Sequence, residues 1–402
     1  MQSRPSTPDF PSRLPQVGTT VFTVMSALAN KHQAINLGQG FPDFSCDRAL
    51  IEAVNQAMLD DHNQYPPMIG IAELRNGIAQ KISALYGHDY DPEREITITA
   101  GGTQGILTAI LSCVGPGDEV VLIEPAYDSY RPSIELAGGK TIAVSLLAKR
   151  DAHGQVESYE IPWEQLANAI NNKTRLVMIN TPHNPTGMVW EKSDLDQLAH
   201  LIVGTNALVL SDEVYEHMVY DGKQHQSVAS HPVLASRSFV ISSFGKTYHV
   251  TGWKVGYVAA PASMTAEFRK VHQFNVFTIN TPMQHGLAQY LAHAEHYLNL
   301  SSFYQVKRDF FKAGLQDTGL KLLPTPGTYF QCVDYSHLAI PQAQLSESDF
   351  CRWLTTEIGV AAIPVSAFYH EPVESGVIRF CYAKQEKTLS TALERLQHLH
   401  TK

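Results

Sequence analysis

The stretch "SFVISSFGKTYHVTGWKVGYVAAP", residues 238–261, contains two apolar runs separated by a polar, glycine-containing turn. Lys246 follows the first run closely, and Lys254 lies just before the second. Two interpretations are open. Either both lysines lie in a surface loop, where water readily solvates an ammonium group, or both face one site at the end of a buried strand. Sequence patterns elsewhere in the chain distinguish between these two interpretations.

Similar apolar runs recur from about residue 95 to 260, and each leads into a polar turn or a helix-like stretch. They include "EITIT" (95–99), "EVVLIEP" (119–125), "RLVMIN" (175–180) and "ALVLSDEVY" (207–215). This alternation predicts an α/β fold with a mostly parallel sheet between helices, because parallel strands need crossover connections and read as continuous apolar runs. Ligands bind at the carboxyl ends of such strands. The polar residues that follow each run therefore form the candidate site.

The last hundred residues have a different pattern. A helical stretch around 284–312 precedes strand-like "GTYFQCVDY" (327–335) and "VIRFCYA" (377–383), with helical "SESDFCRWLTTEIG" (346–359) between them. This pattern predicts a smaller α+β domain built from residues 1–45 and 291–402. The larger domain is predicted to span residues 46–290.

Composition excludes several classes of protein. The chain has 402 residues, 44% of them hydrophobic, and a net charge of −9 with no basic block, which argues against a nucleic-acid partner. The sequence lacks a secretory h-region and an apolar run of about 18 residues, which predicts a cytoplasmic protein without a membrane partner. The five cysteines and 18 histidines form neither CxxC nor HExxH spacing, so we expect no metal site.

The residues at the predicted strand ends form a chemically coherent set. Gly102 and Thr103 open a helix, where backbone N–H groups and the helix dipole favour a phosphate. Ser243 and Lys254 could complete that cradle by hydroxyl donation and by charge. Lys246 is then free for covalent chemistry, since a desolvated lysine amine is a nucleophile toward aldehydes. A phosphate site beside a reactive lysine indicates pyridoxal phosphate.

This cofactor also needs a carboxylate beside its ring nitrogen, and Asp212 follows the apolar strand "ALVL". Asn184 and Tyr215 could donate hydrogen bonds to the ring hydroxyl, and Tyr127 could stack on the ring. Each of these residues alone has a simpler explanation: a turn, a helix N-cap or a core tyrosine. The joint pattern favours the cofactor site.

The motifs resemble those of a known family. "NPTG" (184–187), "SDEVY" (211–215) and "SSFGKTYHVTGWKVGY" (242–257), in this order, resemble the fold-type I pyridoxal phosphate aminotransferases of class I/II. "INLGQGFPDF" (35–44) and "VIRFCYAK" (377–384) are similar to the branch that contains kynurenine (glutamine) aminotransferases and bacterial methionine aminotransferases. The likeness runs from about residue 20 to the end of the chain.

The resemblance implies a role for each matching residue. Lys246 would form the Schiff base with pyridoxal 5'-phosphate, and Asp212 would pair with the pyridine nitrogen. Arg379 would hold the α-carboxylate of the substrate. This role also suits its planar guanidinium group, which lies within an apolar run and can bind a carboxylate through two hydrogen bonds. The remaining implied contacts are Asn184 and Tyr215 to the ring oxygen, Gly102, Thr103, Ser243 and Lys254 to the phosphate, Tyr127 stacked on the ring, and the Gly40 backbone to the carboxylate. Family members are homodimers with shared active sites, in which a tyrosine, here Tyr65, reaches the partner's phosphate.

Substrate preference follows from the side chains expected near the donor. The stretch 271–306 contains no Lys or Arg that could hold a distal carboxylate, and Phe277 and the amino-terminal Phe22 offer apolar walls. We expect methionine as the favoured donor, with aromatic amino acids and glutamine as further donors, a 2-oxo acid as acceptor, and a ping-pong mechanism. Thr278 stands where kynurenine-type members often carry histidine, which speaks against a kynurenine preference.

Four alternative functions share some of these sequence features. A kynurenine–oxoglutarate transaminase and a cysteine-S-conjugate β-lyase remain open, because the same lysine serves these reactions. A non-enzymatic, pyridoxal phosphate-dependent regulator module is disfavoured, since only about twenty residues precede the match. A dinucleotide-dependent dehydrogenase is disfavoured because "GGTQG" does not fit the GxGxxG pattern.

Overall fold

The computed structural model describes residues 10–371 and 373–400, so residues 1–9, 372 and 401–402 of the predicted small domain lie outside the described residues. The helices are α1 (Val21–His32), α2 (Arg48–Leu59), α3 (Ala72–Tyr86), α4 (Gly101–Cys113), α5 (Tyr130–Ala137), α6 (Trp163–Ala169), α7 (Lys192–Ile202), α8 (Pro232–Ala235), α9 (Phe244–Thr247), α10 (Ala262–Asn275), α11 (Thr281–Leu291), α12 (Glu295–Leu298), α13 (Leu300–Leu315), α14 (Glu347–Trp353) and α15 (Glu386–Leu396). The strands are β1 (Ile35–Asn36), β2 (Ile96–Thr99), β3 (Glu119–Glu124), β4 (Lys140–Ser145), β5 (Leu147–Arg150), β6 (Val156–Glu160), β7 (Thr174–Asn180), β8 (Leu208–Asp212), β9 (Ser238–Ser243), β10 (Gly256–Ala259), β11 (Lys321–Leu322), β12 (Phe330–Asp334), β13 (Val360–Ala361), β14 (Ile363–Pro364) and β15 (Val377–Cys381).

A seven-stranded sheet forms the centre of the molecule, in the order β2-β10-β9-β8-β7-β3-β4. The strands from β9 to β4 pair in parallel, whereas β10 runs antiparallel to both of its neighbours. The predicted α/β fold with a mostly parallel sheet is therefore confirmed. The parallel strands β3, β7, β8 and β9 end at one edge of the sheet, where their following residues converge.

Both faces of this sheet are buried, which explains the continuous apolar runs in the sequence. In β3, Val121 and Ile123 belong to one buried cluster, which also contains residues of α3. Val120 and Leu122 alternate with them and belong to a second cluster, which contains residues of α4. Successive side chains of a strand point to opposite faces, so helices must cover the sheet on both sides.

The C-terminal part of the chain forms a separate four-stranded sheet, β11-β12-β15-β14, whose neighbours are antiparallel. The amino-terminal segment joins this part, because β1 pairs in parallel with β13. Met25 of α1 and Leu37 also lie in the buried cluster that contains Phe380 and Leu393. The division of the chain into residues 46–290 and residues 1–45 with 291–402 stays a prediction.

The helix expected around 284–312 is interrupted in the structure. Helix α11 ends at Leu291, and α13 begins at Leu300, with only the short α12 between them. Hydrogen bonds between residues three positions apart, from His293 N to Tyr290 O and from His296 N to His293 O, replace the regular α-helical hydrogen bonds there. The Tyr290 and His296 rings stack with centroids 3.7 Å apart across this break. A continuous helix would separate these rings, so the prediction of one long helix is wrong.

Within the described ranges, none of the helices is long and apolar enough to cross a bilayer. The same ranges contain no group of three or more His, Cys, Asp or Glu side chains that could hold a metal ion.

Candidate active site

A cavity of about 420 Å³ lies at the carboxyl ends of the parallel strands, between the central sheet and the C-terminal part of the chain. The sequence-predicted site residues that line it are Phe22, Gly40, Gly102, Thr103, Tyr127, Asn184, Asp212, Tyr215, Ser243, Lys246, Lys254 and Arg379. Two others do not line this cavity. Tyr65 is 81% exposed, and its ring lies 5.3 Å from that of Phe277, which is also exposed.

Lys246 enters the cavity from α9, directly after β9. Ser243 begins this helix, because its hydroxyl accepts a hydrogen bond from Gly245 N at 3.2 Å. The Lys246 Nζ atom donates to Tyr329 Oη at 2.8 Å and to Gly40 O at 3.0 Å. Burial disfavours the ammonium form and lowers the pKa of Lys246 to about 8. The amine is therefore accessible in its neutral, nucleophilic form near neutral pH.

Asp212 is the last residue of β8 and is buried in the wall of the cavity. Its carboxylate accepts hydrogen bonds from Tyr130 Oη at 2.6 Å and from Val214 N at 3.2 Å. Burial raises the pKa of Asp212 to about 6, and the bond from Tyr130 opposes that rise. The site thus presents a desolvated carboxylate that favours a cationic partner.

The candidate phosphate cradle lies at the start of α4. Gly101 has φ +78°, a conformation that glycine adopts readily, and it brings the helix N-terminus to the cavity. A Cβ atom on Gly102 would lie 3.1 Å from a methyl group of Val214, so the position favours glycine. Lys254 lines the same cavity and makes no ion pair with any described residue. An anion seated on the α4 N-terminus would therefore gain both backbone donors and a free cation.

Arg379 lies in β15 and is only 1% exposed. Its guanidinium donates to Asn184 Oδ1 at 2.6 Å and to Gly38 O at 3.0 Å, and it lies 3.8 Å from the ring centre of Phe330. Among the residues that the structure describes, Arg379 has no carboxylate ion-pair partner, and its Nε atom is buried without a hydrogen bond. A buried, positioned guanidinium of this kind suits the carboxylate of a ligand.

Sequence reasoning missed several residues in or beside the cavity. Tyr130 supports Asp212, and the side chain of Asn180 positions Asn184 by accepting its backbone N–H at 2.7 Å. Tyr329 contacts Lys246 directly. A signal existed for some of them, because Tyr130 lies in "EPAYDSY" and Tyr329 in "GTYFQCVDY". In each motif the tyrosine lies near the end or the start of a predicted strand, where a polar aromatic side chain can reach a site at the edge of the sheet.

These residues fit pyridoxal 5'-phosphate. Gly102, Thr103, Ser243 and Lys254 line the part of the cavity that could hold its phosphate, and the buried carboxylate of Asp212 suits a protonated ring nitrogen. Lys246 offers the amine that bonds to the cofactor aldehyde. The unpaired charge of Lys254 and the glycine-lined helix start are the structural observations that support this fit.

The pH dependence of covalent cofactor attachment tests the environment of Lys246. Only the neutral amine attacks an aldehyde, so the attachment rate of the apoenzyme should rise about tenfold per pH unit and level off above a pH of about 8. Stopped-flow absorbance with pyridoxal 5'-phosphate measures this rate. A midpoint near 10.5, the ordinary lysine value, contradicts a desolvated amine. N-acetyl-lysine methylamide serves as the solvent-exposed control.

Comparisons with known proteins identify the family of this chain. The model of the family "Aminotransferase class I and II" matches residues 32–396. Methionine aminotransferase of Escherichia coli is 49% identical over 389 residues, which cover 96% of this chain and 98% of that protein. Human kynurenine–oxoglutarate transaminase 1 is 36% identical, with coverage of 92% and 93%. A solved structure from E. coli, described as having a methionine aminotransferase function, superposes with a TM-score of 0.93 at 47% identity and covers 98% of this chain and 100% of its own.

The match spans nearly the whole chain and includes every strand end that lines the cavity. The architecture is that of the fold-type I enzymes, and the relatives are transaminases that depend on pyridoxal phosphate. The chain belongs to the class I and II aminotransferase family and is a pyridoxal phosphate-dependent enzyme.

Proposed function

We propose that this aminotransferase uses methionine as its favoured amino donor, with aromatic amino acids and glutamine as further donors. The amino group passes to a 2-oxo acid by a ping-pong mechanism. One observation carries the proposal: the basic side chains of the described cavity are Lys246, Lys254 and Arg379, and each already has a role in binding the cofactor or the α-carboxylate. No basic group of this cavity is left for a distal carboxylate. The name of the E. coli relative supports the same donor.

The remaining walls suit an uncharged side chain. Phe22, Phe41 and Phe330 line the cavity and offer apolar surface to a thioether or an aromatic ring. Asp128 lines it as well, and burial raises the pKa of its carboxyl group while the charge of Arg379 opposes that rise. A distal carboxylate would meet repulsion from Asp128 rather than a counter-charge.

In this proposal, bound pyridoxal phosphate supplies an electron sink for the electron pair of the substrate Cα–H bond. Lys246 would take the α-proton and return it on the other side of the reaction. Asp212 would supply negative charge to the ring nitrogen, and the hydrogen bond from Tyr130 orients its carboxylate. Arg379 and Asn184 hold the α-carboxylate, so that the Cα–H bond is presented to the amine of Lys246.

Steady-state kinetics with a common 2-oxo acid test the donor preference. We expect kcat/KM for L-methionine to exceed that for L-aspartate by at least about 100-fold, because an unpaired charge in the cavity costs several kcal/mol. L-Phenylalanine and L-glutamine should give intermediate values. A preference for aspartate over methionine contradicts the proposal.

The role of Asp128 gives a sharper prediction, because glutamine and glutamate have nearly the same shape and differ in charge. We expect Asp128→Asn to raise kcat/KM for glutamate about tenfold relative to that for glutamine, since the substitution removes a like charge. Asp128→Glu, which keeps the charge, is the control and should not raise this ratio. If Asp128→Asn leaves the ratio unchanged, Asp128 does not contribute to charge selection.

A kynurenine–oxoglutarate transaminase remains the second candidate, supported by the human relative. Cysteine-S-conjugate β-elimination is a further reaction that Lys246 could serve by removing the same α-proton. Assays with L-kynurenine and with a cysteine S-conjugate separate these activities from methionine transamination, because they release different products.

The proposed active unit is a homodimer in the cytoplasm. Tyr65, Phe274 and Phe277 are large side chains with high exposure, and Tyr65 and Phe277 contact each other. In a dimer, we propose that Tyr65 reaches the phosphate in the partner's cavity and Phe277 borders its substrate. A fully active monomer in solution, measured by sedimentation at assay concentration, contradicts this arrangement.

A further inference from the structure

Tyr329 is a buried residue of the cavity region that the proposed chemistry has not yet used. It directly precedes β12, and its side chain is fully buried. Its hydroxyl accepts a hydrogen bond from Lys246 Nζ at 2.8 Å and donates one to Gly40 O. The hydroxyl thus lies between the amine that moves the proton and a backbone carbonyl of the amino-terminal segment.

The segment that contains this carbonyl is held at two points. At one end, the guanidinium of Arg379 donates to Gly38 O at 3.0 Å. At the other end, Tyr329 and Lys246 both donate to Gly40 O. The group proposed to hold the substrate carboxylate and the group proposed to move the proton therefore contact the same three-residue stretch, Gly38 to Gly40.

We propose that Tyr329 is a positioning residue for transamination, which fixes the free amine of Lys246 and links it to the segment at the α-carboxylate site. This inference rests on the proposed role of Lys246 as the proton carrier. Tyr329 itself contacts neither a substrate nor a cofactor in this account. It acts through Lys246.

The arrangement leaves the lone pair of Lys246 available. A neutral amine has two N–H bonds and one lone pair. When one N–H donates to Tyr329 Oη and the other to Gly40 O, the lone pair is the only part of the nitrogen without a partner. The α-proton then adds to that lone pair and makes an ammonium group, which keeps both existing hydrogen bonds. The third N–H carries the proton that is later returned to carbon, and no other proton needs to move.

Burial keeps the phenol of Tyr329 neutral, because its pKa lies well above the ordinary tyrosine value. The hydroxyl therefore stays a donor to Gly40 O and an acceptor for Lys246 at all working pH values. The charged or titratable groups that influence Lys246 are Asp212, Lys254, Arg379, Cys381, Tyr215 and Tyr329. Among them, within the described part of the chain, it is the side chain of Tyr329 that makes a hydrogen bond to the lysine nitrogen.

The test uses Tyr329→Phe, which removes the hydroxyl and keeps the ring. We expect kcat with L-methionine to fall roughly tenfold, because the amine is no longer held in one direction. The kinetic isotope effect of α-deuterated methionine should increase, since proton transfer becomes slower relative to the other steps. The visible absorbance of the bound cofactor should remain, because the substitution does not touch the cofactor cradle.

A second readout does not depend on activity. In enzyme loaded with pyridoxamine 5'-phosphate, the Lys246 amine is free and can be acetylated, and mass spectrometry gives the labelled fraction as a function of pH. A hydrogen-bond acceptor stabilises the ammonium form more than the amine, so its removal in Tyr329→Phe should lower the pKa of Lys246 by about one unit. A merely structural role of Tyr329 would not move this pH profile.

Tyr304→Phe is the matched control. The ring of Tyr304 lies 5.6 Å from that of Tyr329, and its hydroxyl is buried without a hydrogen-bond partner among the described residues. This variant removes a hydroxyl from the same aromatic cluster, and we expect wild-type isotope effects and a wild-type labelling profile. If both variants behave alike, or if Tyr329→Phe matches the wild type, the inference is overturned.

Failure of this inference can be told apart from failure of the proposed function. A wild-type enzyme that does not convert methionine contradicts the proposed donor, whatever the variants do.

If Tyr329→Phe does not fold, 3-fluorotyrosine at position 329 replaces it, since it keeps the ring and hydroxyl but makes the oxygen a weaker acceptor. The same labelling profile then decides, and an unchanged profile overturns the inference.

Discussion

Lys246→Ala is expected to reduce transamination by roughly 10⁴-fold, the upper range for loss of a group that serves in proton transfer and also as a nucleophile. The variant loses the amine that lies 2.8 Å from Tyr329 and faces the cavity beside Asp212. It should still bind pyridoxal phosphate, because the helix start at Gly102, the charge of Lys254 and the carboxylate of Asp212 are unchanged. Single-turnover absorbance with L-methionine measures the remaining rate.

Two controls identify the cause of this loss. Lys254→Ala should weaken cofactor binding, yet at saturating pyridoxal phosphate it should keep most of the turnover, because the proposed role of Lys254 is to contact the phosphate and not to carry the proton. Added methylamine should partly restore proton transfer in Lys246→Ala, since a small amine fits the space that the side chain leaves. Normal transamination by Lys246→Ala would remove Lys246 from the mechanism.

Arg379→Ala is expected to lower kcat/KM for methionine by about 10²–10³-fold, mainly through a higher KM. The substitution removes a buried guanidinium that is held by Asn184 and Phe330 and that has no carboxylate partner of its own in the described chain. Loss of one member of a buried charge pair costs about 2–5 kcal/mol, and each 1.4 kcal/mol corresponds to a factor of ten. Steady-state kinetics and a spectroscopic binding titration with methionine check this result.

Arg308→Lys provides the comparison for Arg379. Arg308 is also largely buried, but it pairs with Asp221 at 2.6 Å and is not among the residues that line the cavity. We expect this variant to change the unfolding free energy rather than KM, because Lys cannot reproduce the two-pronged ion pair. If Arg308→Lys raises KM as much as Arg379→Ala does, the effect of Arg379→Ala reflects general damage to the fold and not loss of carboxylate binding.

Much of the fold and of the cavity could be predicted from the sequence, because the decisive signals are local. The apolar runs that become β3, β7, β8 and β9 are continuous since both faces of the sheet are buried. The residues that follow them must meet at one edge, which brings Asn184, Asp212 and Lys246 into one cavity. The fold class and the cofactor therefore follow from strand ends and residue chemistry.

The rest depends on contacts between distant parts of the chain, for which a single sequence has no signal. The buried ion pair of Lys81 and Glu216, at 2.6 Å, joins residues 135 positions apart. The contact of Tyr329 with Gly40 spans 289 positions. The interruption between α11 and α13 was missed for a related reason, since the stacking of Tyr290 on His296 appears only once the chain is folded.

The most direct test of the account is the visible spectrum of the purified enzyme before and after L-methionine is added without any 2-oxo acid. We expect the band of the lysine-bound cofactor to convert to that of the amine form, with L-aspartate at the same concentration converting it far more slowly. Conversion by aspartate but not by methionine would contradict the proposed substrate class. Absence of a cofactor band after incubation with pyridoxal phosphate would contradict the assignment of Lys246.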